Sequence, residues 1–158
     1  MIATVHEVPR IPASAGALIH DLRGRLLILK PTYKAGWTIP GGEIEADGES
    51  PWEGCRRETY EEGGLRVDSG RLVCVDFLAP RPGRPGGVRF LFDCGPLADD
   101  QLAQIALTEA EISEHRLAGR DEALELLSGP VRRRVRAAAG GRHCIYLENG
   151  RRVPGVRA

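Results

Sequence analysis

Two short apolar blocks open the readable pattern, IPASAGALIH over 11–20 and RLLILK over 25–30, separated by Asp21-Leu22-Arg23-Gly24. Blocks of that length around a glycine turn predict a β-hairpin, since Gly24 can take the positive φ of a tight turn. The loop PTYKAGWTIPGG follows, with a short strand at Trp37–Ile39. Pro40-Gly41-Gly42 is expected to stop that strand, because proline lacks a ladder donor and glycine favours turns. Over 50–63 the signals become helical. Ser50 is an N-cap, Pro51 suits the first helical position, Glu53 completes a capping box, and Gly63-Gly64 ends the helix. Alternation returns at 66–79 and 87–94, two strands separated by the stiff, basic loop Pro80–Gly87. Residues 111–117 read as extended and 120–128 and 130–139 as helices. His143–Leu147 with the turn Glu148-Asn149-Gly150 reads as a closing strand or short hairpin. Strands mixed with helices in this order predict an α/β sheet covered by helices, in a single domain over 1–158.

Composition narrows the function classes. Lys plus Arg and Asp plus Glu are both 22, a balance that argues against a nucleic-acid coat or a polybasic membrane anchor. No run approaches the ~20 apolar residues that span a bilayer, and MIATVHEVPR lacks the form of a signal peptide. A cytoplasmic location is the resulting expectation. Cys55, Cys74, Cys94 and Cys144 form no close pairs of the kind zinc sites use, so they read as free thiols. His6, His20, His115 and His143 are equally dispersed.

The chemistry lies in the predicted helix. Glu58, Glu61 and Glu62 stand at i, i+3 and i+4, so one face carries three carboxylates. Like charges at that spacing repel, and they sit near the C-terminal end, where the helix dipole disfavours anions. A solvated acidic face would explain the glutamates alone. It would not need a glycine loop leading in and a glycine pair leading out. A hard divalent cation removes the conflict, because magnesium takes oxygen ligands.

The segment from Gly42 to Leu65 resembles the signature box of the Nudix hydrolases, G-x5-E-x7-R-E-U-x-E-E-x-G-U. Glu49 is followed by seven residues and then by Arg57-Glu58-Thr59-Tyr60-Glu61-Glu62-Gly63-Gly64-Leu65. Two departures stand out: Thr59 replaces an aliphatic residue, and six residues rather than five separate Gly42 from Glu49. The resemblance implies the Nudix α/β/α sandwich, a mixed β-sheet flanked by helices. It further implies a magnesium-dependent hydrolase, manganese substituting, that cleaves a diphosphate linkage in a nucleoside diphosphate-X compound such as a nucleoside triphosphate or nucleotide-sugar. Glu58, Glu61 and Glu62 would then bind the metal, and Arg57 would hold a glutamate in place. Glu49 and Gly64 would support the site, while Gly41 and Gly42 would let backbone approach metal or phosphate.

The general base is less defined. Glu61 is the candidate inside the box, and Glu114, with Glu109 and Glu111 beside it, the candidate outside. Arg81, Arg84 and Arg89 are candidate phosphate contacts. The aromatics Tyr33, Trp37, Phe90 and Phe92 are read mainly as core, and Arg132-Arg133-Arg134 with Arg136 as a solvated face or a subunit contact. The resemblance allows a homodimer. The competing reading is a catalytically weak nucleotide-binding module of the same fold. Such modules tend to lose box glutamates, which this chain keeps. An isopentenyl-diphosphate isomerase, also built on this fold, would need a dedicated cysteine and metal-binding histidines that the scattered Cys and His residues do not supply.

Overall fold

The computed structural model describes residues 8–157. His6 and most of the stretch behind the signal-peptide reading therefore lie outside the described residues. In chain order the elements are β1 (Ala13–Leu18), β2 (Leu26–Pro31), β3 (Gly41–Glu43), α1 (Pro51–Gly63), β4 (Arg71–Leu78), β5 (Gly87–Asp93) and α2 (Asp99–Leu102). There follow β6 (Ile112–Ala118), α3 (Arg120–Leu126), α4 (Gly129–Ala138), β7 (Ile145–Glu148) and β8 (Arg151–Arg152).

A mixed sheet runs in the order β3-β1-β5-β4-β7-β8, with β1·β5 and β4·β7 parallel and the other pairs antiparallel. A second ladder pairs β2 with β6, antiparallel. Alternation along β1 sorts the two cores. Ala15, Ala17 and Ile19 join Cys55 of α1, whereas Leu18 joins Ala123, Leu127, Val135 and Ala138 at α3 and α4. Helices thus cover both faces of a mixed sheet, the α/β architecture that the resemblance implied.

Two local readings change. The turn at Asp21–Gly24 forms as expected, with Gly24 at φ 79° and its amide donating to the Asp21 carbonyl at 3.0 Å. The flanking blocks pair as a hairpin beside the turn, where His20 bridges Leu26 and the Leu27 amide donates to the Ile19 carbonyl at 2.8 Å, and then part: β1 is hydrogen-bonded to β3 and β5, and β2 to β6. Each is buried on both faces, so each needs partners beyond its sequence neighbour. The second change concerns the segment 37–43. Trp37 and Thr38 make only single bridges, to Leu127 and Leu29, and the strand proper is Gly41–Glu43 against the edge of β1. Pro40 does not stop pairing, since its carbonyl accepts from the Ala17 amide at 2.9 Å. Gly41 continues the chain at φ 149°, where a side chain would collide with the Ala15 carbonyl.

The arginine run on α4 is not one solvated face. Arg134 is buried and donates to Asp76 Oδ2 at 3.2 Å, while Arg132 turns to the carbonyls of Glu125 (3.0 Å) and Leu127 (2.9 Å). Asp76, fully buried on β4, also accepts from the Gly150 amide at 2.9 Å. One carboxylate therefore ties β4 to α4 and to the β7–β8 turn, where Asn149 (φ 51°) and Gly150 (φ 74°) fit a two-residue hairpin. Removing one partner of a buried pair strands the other charge. Asp76→Ala is expected to lower unfolding free energy by about 3 kcal/mol in urea titrations; a change within error would mean that Arg134 finds water instead.

Candidate active site

Helix α1 begins as its sequence requires. Ser50 Oγ accepts from the Glu53 amide (3.2 Å), and Glu53 Oε2 accepts from the Ser50 amide (2.8 Å), a reciprocal capping box. At the other end Gly64 caps in the left-handed region at φ 69°, its amide donating to the Tyr60 carbonyl. The last carbonyls are then met by a distant segment. Ala106 N–H donates to Gly63 (2.9 Å), Thr108 N–H to Glu62 (3.3 Å), and the Thr108 hydroxyl to Glu61. That contact carries the following residues back toward the helix, and the Glu111 carbonyl is fixed by the Thr32 amide at 2.8 Å.

The buried stripe of α1 is Gly54, Cys55, Thr59, Glu62 and Gly63. Thr59 replaces an aliphatic residue without leaving a polar atom stranded, because its hydroxyl donates to the Cys55 carbonyl at 2.7 Å. Glu62 shares this stripe and is only 3% exposed, whereas the Glu61 side chain is 53% exposed. Burial pushes the Glu62 carboxyl up to about 7, helped by the charges of Glu58 and Glu111 and opposed by the Gly41 N–H, which donates to Oε2 at 2.9 Å, and by Lys34. Glu58 is raised as well, mainly by burial, with Arg57 opposing.

Arg57 organises the remaining carboxylates. Nε and Nη2 donate to the two oxygens of Glu49 (2.7 and 3.0 Å), and Nη1 donates to Glu58 (2.8 Å) and Glu61 (2.9 Å). Nη2 also reaches the Glu43 carbonyl at 2.9 Å, tying α1 to the end of β3. The bidentate hold keeps Glu49 below the usual carboxylate range. The additional residue before Glu49 is taken up in a turn at 46–48 with Gly48 at φ 99°. Glu49 Oε2 still accepts from the Glu45 amide at 2.8 Å, so the register of Glu49 on Arg57 is kept. Gly42 has no room for a side chain: a methyl group there would overlap the Glu58 carboxylate.

These groups border a cleft of ≈ 620 Å³ between α1, β1, β3 and β5. Glu58, Glu62 and Glu111 line its acidic side with Gly41 and Gly42, and Arg89 and Arg134 line it as well. Of the sequence candidates, then, Gly41, Gly42, Glu58, Glu62 and Arg89 meet in the cleft. Arg57, Glu49 and Glu61 stand behind or beside it, Glu61 with its carboxylate on Arg57. Glu114 is placed elsewhere, on β6 beside Arg116 (3.3 Å) and Lys30 (4.0 Å), and Glu111 takes the position at the cleft. Arg81 and Arg84 face each other across the 80–86 loop and border no part of the cleft. Lys34 and Arg134 also line it. Tyr33, read mainly as core, is instead exposed and lines the cleft next to Lys34, while Arg134 hides within an arginine run.

A family model of the NUDIX domain matches residues 10–138. The chain belongs to the Nudix family. A MutT-like protein of Streptomyces ambofaciens is 34% identical over 106 residues, covering 63% of this chain and 65% of that protein, so the match spans just under two thirds of the relative. Among solved structures, a MutT protein from Methanosarcina mazei Go1 is similar with a TM-score of 0.65 and 26% identity, over 80% of this chain and 90% of that one. A NUDIX hydrolase from Nitrosomonas europaea is similar with a TM-score of 0.66 and 25% identity, over 90% and 80%.

Among the described residues, no three His, Cys, Asp or Glu side chains already converge as a ready-made metal cluster. The donor set of this Nudix chain nevertheless fits a hard divalent ion. Glu58 and Glu62 are carboxylates drawn into one cleft, both raised by burial, and a cation there would offset what burial and mutual repulsion cost. In metal-free protein the neutral Glu62 contributes stability that is full below its unfolded pKa near 4.5 and lost as pH rises through about 7. Thermal melting of metal-free protein should therefore fall between those limits, and Glu62→Gln should make the slope shallower. An identical slope in the variant would place the titration on another group.

Proposed function

We propose that this Nudix chain is a magnesium-dependent hydrolase that cleaves a diphosphate linkage in a nucleoside diphosphate-X compound, a nucleoside triphosphate or a nucleotide-sugar, acting as one domain in the cytoplasm. The observation that carries the reading is Glu62, a carboxylate buried in the cleft wall beside Glu58, where a structural helix would carry an apolar residue. The reading assigns Glu58, Glu61 and Glu62 as ligands. When bound, magnesium supplies charge neutralisation at the diphosphate oxygens and acidifies an adjacent water.

The chain's own groups have separate tasks. The Gly41 amide orients Glu62, and the lack of a side chain at Gly42 lets the Glu58 carboxylate lie against β3. Arg57 holds Glu58 and Glu61 on one guanidinium nitrogen, fixing their carboxylates relative to each other. Arg89, half-buried and lacking any carboxylate partner within ion-pair distance among the described residues, faces the cleft as a contact for a phosphate. Glu61 and Glu111 are the carboxylates that can accept the proton of the attacking water. The tilt toward a hydrolase rather than a binding module comes from the full set of box glutamates. No helix among the described residues is long and apolar enough to cross a bilayer.

A chromatographic screen for the nucleoside phosphate product, over nucleoside triphosphates, nucleotide-sugars and dinucleoside polyphosphates, tests the reading. Magnesium-dependent turnover of at least one of these is expected. Glu61→Gln and Glu62→Gln are each expected to reduce kcat by about two orders of magnitude or more with the fold retained. No turnover by folded, magnesium-loaded protein would favour the binding module; full activity in both variants would sink the residue assignment.

A further inference from the structure

A second hollow lies outside the cleft, between the 80–86 loop, α4 and the β7–β8 hairpin, with a volume of ≈ 550 Å³. Arg81, Arg133, Arg151 and Arg152 line it, each from an exposed position. Among the described residues none of the four lies within ion-pair distance of a carboxylate. Glu148 is the one carboxylate in the lining, and it accepts from the Tyr146 hydroxyl at 3.0 Å. The chain as a whole has a formal net charge of +0, so this is a local excess and not the expression of a basic protein.

The hollow is built from rigid parts. The 80–86 loop has three prolines among its neighbours, at 80, 82 and 85, and closes on itself through paired Arg81 and Arg84 backbone hydrogen bonds of 2.9 and 2.8 Å. The hairpin turn is pinned by Asp76 through the Gly150 amide, and Asn149 Oδ1 accepts from the Ala79 amide at 3.1 Å, joining hairpin to loop. Arg133 lies against Gly150, where a side chain would meet its guanidinium stem. Four guanidiniums lining one concavity carry like charge that an anion between them would offset, and guanidinium forks match phosphate oxygens in pairs.

We propose that this hollow is an anion site that takes a compact polyphosphorylated small molecule, separate from the substrate in the cleft. Its size falls in the range of small-molecule sites. Its arginines converge from three elements on one concavity, which a chain of three or more phosphates can fill and an extended strand of nucleic acid, following a stripe, would only touch. The inference does not rest on the hydrolase reading. It also accounts for the basic loop around Arg81, which the cleft leaves without a task.

Inorganic tripolyphosphate titrated calorimetrically into the full chain, with EDTA present to prevent turnover, tests the site. One tripolyphosphate per chain is expected, bound at least tenfold more tightly than inorganic phosphate. Arg151→Gln and Arg152→Gln should each weaken it about tenfold, and Arg81→Gln similarly, with melting temperatures unchanged. Arg89→Gln, in the cleft, should leave the affinity as it is. Loss of binding on Arg89→Gln with no effect of the three hollow variants would overturn the proposal. So would a single-stranded oligonucleotide with a 5′-hydroxyl that binds more tightly than tripolyphosphate and loses affinity in the same three variants.

Discussion

Arg57 makes five hydrogen bonds at once, two to Glu49, one each to Glu58 and Glu61, and one to the Glu43 carbonyl. Three carboxylates on neighbouring turns of a helix and its lead-in loop would otherwise repel and point into solvent. The planar fork of arginine gathers them without neutralising the site as a whole, because a single positive charge serves three negative ones. Glu62 is left outside this arrangement and inside the protein, with the Gly41 amide as its one direct hydrogen-bond donor among the described residues. The acidity around the cleft is therefore graded: Glu49, behind it, is held low by Arg57, and Glu58 and Glu62, in its lining, are raised by burial. A cation entering the cleft meets the carboxylates that gain most from it.

Local chemistry made the helix readable in advance. The capping box at Ser50 and Glu53 and the left-handed cap at Gly64 involve residues close in sequence, and the structure has them where the sequence puts them. The strand Gly41–Glu43 was not readable, because it exists by virtue of the free edge of β1 and of the lack of side chains at 41 and 42. The hairpin between β1 and β2 is limited to the turn and the His20–Leu26 bridge for a similar reason: both strands are buried on two faces, and their longer ladders are made with β5, β3 and β6.

The site divides along the same line. Residues of the box were legible because their spacing is helical. Glu111, not Glu114, reaches the cleft because Thr108 and Ala106 cap the last carbonyls of α1 and Thr32 fixes the Glu111 carbonyl, contacts between segments far apart in sequence. Arg134 and Asp76 are 58 residues apart, so nothing in the arginine run marks its third member as buried. Asp76 then joins the wall of the cleft to the hairpin that carries the basic hollow, which gives the two concavities a common support.

The central claim is that the carboxylates of α1 form a divalent-cation site, with Glu62 as its buried member. Calorimetric titration of magnesium into metal-free protein near pH 7, repeated in buffers of different ionisation enthalpy, addresses it directly. The account predicts binding accompanied by partial proton release, because burial pushes the Glu62 carboxyl up to about 7 without a metal, and loss of both in Glu62→Gln. Unchanged magnesium affinity and unchanged proton release in Glu62→Gln would contradict it.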